Sequence, residues 1–214
     1  MGWKQADYTD MRHQMQPGDV IAFSSKAHVP EVIKWATCSN VSHVGVIFQS
    51  RLLIEGERQH QIMESTLLNG FLGVITSRLD NRIESYEGNV WWLPLSDSVR
   101  RKMDLEKFQT FLLEQEGKPY DVPQAIKSAL DAQEGHPLLG RVTYNIEDFS
   151  ELFCSELVAA ALEASGAISH LNASEVTPID LCRFSIYKPD YYQLKGEKEL
   201  IEGYNTLSPE GWGE

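Results

Sequence analysis

Long apolar runs, cysteines and basic residues are all scarce in this chain of 214 residues. No stretch reaches the roughly 18 consecutive apolar residues that a membrane-spanning helix requires. The first residues, MGWKQADYTDMRHQMQPGD, are polar and lack the apolar segment of a secretory signal peptide. These absences predict a cytoplasmic protein without integral membrane association, with delivery by a phage or a secretion machine as the alternative.

The cysteines are few and lie far apart in the sequence. An odd number of widely spaced cysteines, Cys38, Cys154 and Cys182, does not fit a disulfide framework. The closely paired cysteines of a structural zinc site are missing as well. We therefore expect free thiols in a reducing environment and no zinc site formed by these cysteines.

Basic residues are outnumbered by acidic ones, 19 Lys and Arg against 31 Asp and Glu, which gives a formal net charge of −12. A surface that binds nucleic acid needs basic side chains to neutralise phosphates. The short basic cluster Arg100-Arg101-Lys102 is soon followed by acidic residues. The composition argues against a nucleic-acid partner and fits a cationic substrate or partner better.

Short β-prone segments follow one another in the first half of the chain. After the turn at Pro17 and Gly18, strands are predicted at VIAF (20–23), SHVGVIFQS (42–50), QIMEST (61–66), GVITSRL (73–79) and NVWWLPL (89–95). A helix is predicted at HVPEVIKWATCS (28–39). Because most of the connections between strands are short, the segments predict a largely antiparallel sheet or a small barrel.

The hydrophobic period lengthens after residue 96. One helix of about 18 residues is predicted within DSVRRKMDLEKFQTFLLEQEG (97–117), and a second from about Pro123. A third begins at Cys154 and ends at Gly166. The expected fold is one α+β domain over residues 16–190, with a polar lead-in at 1–15 and a mostly irregular C-terminal extension at 191–214.

Three residues stand out, although each has an ordinary structural interpretation by itself. His43 lies at the start of a predicted strand, Glu64 lies inside another, and Cys154 precedes an apolar helical run. A histidine at a strand end is most often structural, and a glutamate in a strand most often faces solvent. A cysteine in such a helix is most often a buried, inert thiol.

Taken together, the three residue types meet the requirements of a thiol nucleophile. An imidazole takes the thiol proton, and a carboxylate fixes the tautomer and orientation of the imidazole. A cysteine at a helix N-terminus also meets unpaired backbone N–H groups, which favour its thiolate. With Cys154 on a helix packed against the strands of His43 and Glu64, the sequence predicts a Cys–His–Glu site.

Six short segments carry a resemblance to a known family. In chain order they are QPGDVIAF, SHVGVIF, IMEST, GKPYD, FCSELVAAAL and TPIDL. The set resembles the permuted papain-like branch of the NlpC/P60 superfamily, similar to the YiiX/YaeF group of cysteine amidases and peptidases, over about residues 16–182. Papain-like enzymes normally have the cysteine before the histidine, so the order His, Glu, Cys corresponds to a circular permutation.

The resemblance implies a permuted papain-like fold with Cys154 as nucleophile, His43 as base and Glu64 as the residue that orients the histidine. It also implies that Tyr120 lies near the cleft and contacts substrate or the oxyanion, with a half-buried packing role as the alternative. The implied activity is hydrolysis of an amide bond, in a peptide or a cell-wall-type peptide, through an acyl-enzyme and without a cofactor or metal. The segments at 67–90 and 130–150 are longer than in a minimal member, and either shape the cleft or decorate the surface.

Two other functions stay open at this point. Relatives similar to the lecithin:retinol acyltransferase group move fatty acyl chains through a cysteine. They usually have an Asn-Cys-Glu motif and a membrane segment, whereas this chain has Phe153-Cys154-Ser155-Glu156. The second alternative is a catalytically silent binding module of the same fold.

Overall fold

The computed structural model describes residues 2–25, 40–53, 56–68, 70–119 and 146–213. These residues contain one seven-stranded mixed sheet. Its strands are β1 (Gly2–Gln5), β2 (Val20–Ser25), β3 (His43–Leu52), β4 (Arg58–Leu68), β5 (Phe71–Arg78), β6 (Gly88–Leu93) and β7 (Asp190–Lys195). Their order across the sheet is β1-β7-β6-β2-β3-β4-β5, and every neighbouring pair is antiparallel except β1 and β7.

Helices pack on this sheet. Those of the described residues are α1 (Tyr8–Met11), α2 (Leu79–Ser85), α3 (Asp97–Lys102), α4 (Leu105–Gln115), α5 (Ile146–Ala164) and α6 (Pro178–Arg183), with a 3₁₀ turn at Ala173–Glu175. Helix α5 packs against β3 and β4, the two strands that carry the predicted site. Helix α2 packs against β4 and β5.

The five strands predicted from the sequence are confirmed. They correspond to β2, β3, β4, β5 and β6. The α+β class and the largely antiparallel sheet are confirmed with them. Strands β1 and β5 lie at the two edges, so the sheet formed by the described residues is open rather than a small barrel. The helices predicted at 28–39 and from Pro123 lie outside the described residues.

The expected lead-in (1–15) and C-terminal extension (191–214) are parts of the same sheet and core. Strand β1, from the lead-in, pairs in parallel with β7 at the start of the extension. Farther along, the Tyr204 ring lies 4.3 Å from that of Tyr191, between ring centres, and Trp212 packs against the core. Burial of these aromatic rings ties an irregular tail to the domain. Residues of both end segments thus take part in the sheet or pack against the core.

The single helix predicted over 97–117 is divided into α3 and α4. The side chain of Asp104 accepts a hydrogen bond from the backbone N–H of Lys107 and caps the start of α4. Aspartate competes for backbone hydrogen bonds in this way and favours helix ends over helix interiors. One continuous helix was the wrong prediction because the apolar period continues across the break.

The sheet separates two apolar cores. The first, the α5-side core, includes Val44, Val46 and Met63 from the strands against which α5 packs. The second, the α2-side core, includes Ile62 of β4 and Leu79 of α2. Because successive strand residues point to opposite faces, neighbours such as Ile62 and Met63 belong to different cores. This division determines which residues of β3 and β4 can meet.

Gly45 of β3 leaves space for the side chains of β4 on the α2 side of the sheet. A Cβ atom at this position would lie 2.7 Å from Cδ1 of Ile62 and 3.3 Å from Cβ of Glu64. We expect Gly45→Ala to lower the free energy of unfolding by about 1–3 kcal/mol because of this overpacking. Denaturant unfolding measures the change. The variant Gly45→Ala/Ile62→Val, which lacks the Cδ1 atom, should recover part of the loss, and no recovery would contradict the clash as its cause.

Candidate active site

His43 and Glu64 form a buried hydrogen-bonded pair. His43 is the first residue of β3, and Glu64 lies within the neighbouring strand β4. Nε2 of His43 and Oε2 of Glu64 are 2.7 Å apart, and the two residues are 7% and 1% exposed. The His43 ring packs on Phe23 of the α2-side core, with 5.4 Å between ring centres. The pair therefore lies on the α2 side of the sheet.

The ionisation of Glu64 fixes the tautomer of His43. Burial alone raises the pKa of Glu64, but hydrogen bonds and charges from His43 and Arg82 outweigh it and lower the pKa below its usual value. An ionised carboxylate accepts hydrogen bonds and cannot donate one. The proton between the two groups therefore belongs to Nε2 of His43, and in the neutral ring Nδ1 is the nitrogen that carries the lone pair. This is the arrangement of a general base held by a carboxylate.

Arg82 of α2 is a third member of this cluster, and the sequence had not singled it out. Its Nε lies 2.7 Å from Oε1 of Glu64, and its Nη2 lies 3.2 Å from Oε2. It belongs to the segment 67–90, for which a role in shaping the cleft had been one of two expectations. Arg82 follows Leu79 by three residues, which places it beside the apolar stripe of α2. A charge in that position was the one sequence signal that could have revealed it.

Cys154 does not lie at a helix N-terminus, contrary to the prediction. Helix α5 begins at Ile146, eight residues earlier. Neither Gly nor Pro interrupts residues 146–153, so no helix breaker separates the start of α5 from Cys154. The helix dipole acts mainly within the first turn, and interior N–H groups bond to carbonyls of the preceding turn. The expected stabilisation of a Cys154 thiolate by the helix end, and the expected oxyanion donor there, therefore have no basis in this arrangement.

Cys154 is fully buried and belongs to the α5-side core. The same core contains Val44 of β3, the neighbour of His43 that points to the opposite face. Among the described residues, the hydrogen bond of the His43 ring runs to Glu64 and not to the Cys154 thiol. The structure thus brings together His43 and Glu64, and it places Cys154 in a helix that packs against the same strands from the other side.

Tyr120, Cys38 and Cys182, also named from the sequence, add little to the candidate site. Tyr120 and Cys38 lie outside the described residues. Cys182 of α6 is a buried thiol whose pKa is raised by burial. A thiol that resists ionisation is a poor nucleophile, so Cys182 is the inert thiol of the described part of the chain and a natural reference for Cys154.

The described residues contain neither a candidate metal site nor a helix that could span a membrane. Within the ranges given above, no group of three or more His, Cys, Asp or Glu side chains is placed to hold a metal ion. Of the helices in those ranges, none is long and apolar enough to cross a bilayer.

Comparison of the chain with models of known protein families gave no match, and comparison with curated protein sequences gave none either. The resemblance to the permuted papain-like branch consequently rests on the six short segments.

Proposed function

We propose that this chain is a cysteine hydrolase that cleaves an amide bond in a peptide or a cell-wall-type peptide. The observation that carries the proposal is the buried hydrogen bond between His43 and Glu64, 2.7 Å long. Burying an ionised carboxylate costs free energy, whereas apolar side chains at the same place would not have this cost. Stabilisation of the fold is therefore a weak explanation for the buried pair. A carboxylate that orients an imidazole is the standard support of a general base.

In the proposed reaction, Nδ1 of His43 takes the proton of the Cys154 thiol. The thiolate attacks the carbonyl carbon of the amide, and the imidazolium then gives its proton to the leaving amine, so that a thioester remains. His43 next deprotonates a water molecule, which attacks the thioester and releases the acid and the thiol. No metal or organic cofactor takes part in these steps.

This chemistry requires the thiol of Cys154 beside Nδ1 of His43, within direct reach for proton transfer. The reactive form must therefore differ from the arrangement described above at the start of α5. A helix that begins at Cys154, as the sequence pattern predicts, would present the thiol at its N-terminus. Unwinding of residues 146–153 is accordingly part of the proposal. So is movement of the thiol out of the α5-side core and around the end of β3, where His43 is the first residue.

The rate of alkylation by iodoacetamide tests the proposed pair of Cys154 and His43. In the intact protein, we expect Cys154 to react at least about tenfold faster than Cys182 at pH 6 to 7, because an imidazole partner favours the thiolate. His43→Ala should abolish this advantage without changing the rate of Cys182. Peptide mass spectrometry at several times and pH values gives both rates within one sample.

Equal rates for Cys154 and Cys182 in the wild-type protein would contradict a reactive thiol. That result would favour the second candidate, a binding module of the same fold. One observation supports this candidate, which is the complete burial of Cys154 in the core opposite the His43–Glu64 pair. Alkylation therefore discriminates between the two functions before any substrate is known.

A further inference from the structure

We propose that Arg82 is a positioning residue of this site, which keeps Glu64 ionised and in one orientation and thereby keeps the proton of the His43 ring on Nε2. The role rests on the proposed function, because it matters for catalysis only if His43 acts as a base. Arg82 acts through Glu64, and no contact with a reacting atom is implied.

The first part of this role is orientation. The two oxygens of Glu64 are bound differently: Oε1 accepts from Nε of Arg82 at 2.7 Å, while Oε2 accepts from Nη2 at 3.2 Å and from His43 at 2.7 Å. The two parallel N–H groups of a guanidinium match the two oxygens of a carboxylate. A rotation of the carboxylate about its last bond would break all three hydrogen bonds together. Arg82 thus fixes which oxygen faces the histidine.

The second part is ionisation. The Glu64 side chain is 1% exposed, and a carboxylate so far from water takes up a proton unless a cation or several donors stabilise its charge. Hydrogen bonding and charge from His43 lower the pKa of Glu64 most, and the guanidinium of Arg82 adds a charge that, unlike that of an imidazole, is permanent. A protonated Glu64 could donate its own hydrogen to Nε2 of His43. The ring proton would then move to Nδ1, and the nitrogen needed as a base would become a donor.

Arg82 is itself held in place. Its guanidinium carbon lies 5.0 Å from the ring centre of Phe23 and 5.0 Å from that of Tyr86. Phe23 also packs against the His43 ring, so one aromatic ring contacts both ends of the cluster. The Arg82 side chain is only 13% exposed. Helix α2 is anchored beside it by Leu79, which is buried in the α2-side core.

The test is the tautomer of His43, read at neutral pH from the ¹⁵N shifts of its ring. Wild-type protein should show a proton on Nε2 of His43. The ¹³C chemical shift of the Glu64 carboxyl group should show that Glu64 is ionised. In Arg82→Met, Glu64 should be protonated and the His43 proton should move largely to Nδ1. In the same variant, we expect alkylation of Cys154 to slow by at least about tenfold. Arg82→Lys, which keeps the positive charge, should partly restore the proton on Nε2 of His43 and the alkylation rate of Cys154.

Arg78→Met is the matched control. Arg78 also pairs with a carboxylate, that of Asp80, but its side chain is 50% exposed and the pair lies outside the cluster. This variant should leave the tautomer of His43 and the alkylation rate unchanged. A change as large as that in Arg82→Met would overturn the specific role of Arg82.

A folded Arg82→Met protein with His43 still protonated at Nε2 and Glu64 still ionised would overturn the inference. If that variant does not fold, Arg82→Gln, which is also neutral but can donate hydrogen bonds, takes its place with the same expected shift of the proton. The proposed function fails separately, by equal alkylation of Cys154 and Cys182 in wild-type protein. The tautomer measurement does not depend on that outcome.

Discussion

Replacing Glu64 by leucine is expected to lower the free energy of unfolding by about 3–5 kcal/mol. The substitution leaves the guanidinium of Arg82 without its carboxylate in a position where its side chain is only 13% exposed. It also removes the acceptor of the hydrogen bond from His43. A buried charge without a partner cannot recover its lost hydration. Denaturant unfolding followed by circular dichroism at pH 7 measures the change.

The double variant Glu64→Leu/Arg82→Met is the informative control. Replacing a whole buried ion pair by apolar side chains of similar size is often neutral or stabilising, so this protein should recover most of the loss. Asp80→Ala removes the partner of Arg78 in an exposed pair and should cost at most about 1 kcal/mol. A Glu64→Leu protein no less stable than Asp80→Ala would mean that the pair is not buried in solution.

The same pair predicts a dependence of stability on pH. Because the folded protein lowers the pKa of Glu64, the ionised carboxylate contributes stability at pH values above its unfolded pKa. This contribution is lost as the pH falls through the lowered value of the folded state. Between pH 5 and pH 3, the wild-type protein should therefore lose more stability than Glu64→Leu/Arg82→Met, and equal losses would contradict the assigned direction.

The His43–Glu64 pair shows how much of the site the sequence could predict. Strand alternation places His43, Gly45 and Ile47 on one face of β3, and the strand predicted at 61–66 contains Glu64. The missing step was the register of the two strands, in which Ile47 pairs with Ile62. With that register, Gly45 lies opposite Glu64, and the absence of a side chain on Gly45 leaves space beside Cβ of Glu64. Local patterns predicted the strands, and the pairing of neighbours followed from short connections.

Arg82 and the start of α5 could not be predicted in this way. Arg82 is separated from Glu64 by the whole of β5, and it reaches the site only because α2 folds back over β4. The start of α5 was predicted at Cys154 from the apolar helical run that follows this residue. The sequence before Cys154 contains no breaker that would require the helix to begin there. Cys154 is consequently the residue on which prediction and structure differ most.

Replacing Cys154 by alanine is expected to abolish hydrolysis, with a loss of at least about 10³-fold in rate. The thiol is the proposed site of the covalent bond to the substrate, and neither His43 nor Glu64 can replace it. Because Cys154 is fully buried, removal of its sulfur should also lower the free energy of unfolding by about 1–2 kcal/mol. Mass spectrometry of cell-wall peptide fragments incubated with each protein detects the new amine and acid products.

Cys182→Ala separates catalysis from packing in this experiment. Cys182 is equally buried, so its replacement should cost a similar free energy of unfolding and leave hydrolysis intact. If both variants lose the same stability and only Cys154→Ala loses activity, the thiol of α5 reaches the histidine in the working protein. If the two variants agree in every measurement, Cys154 is a core residue. The buried His43–Glu64–Arg82 cluster would then belong to a binding module, and its ligand would have to be sought on the α2 side of the sheet.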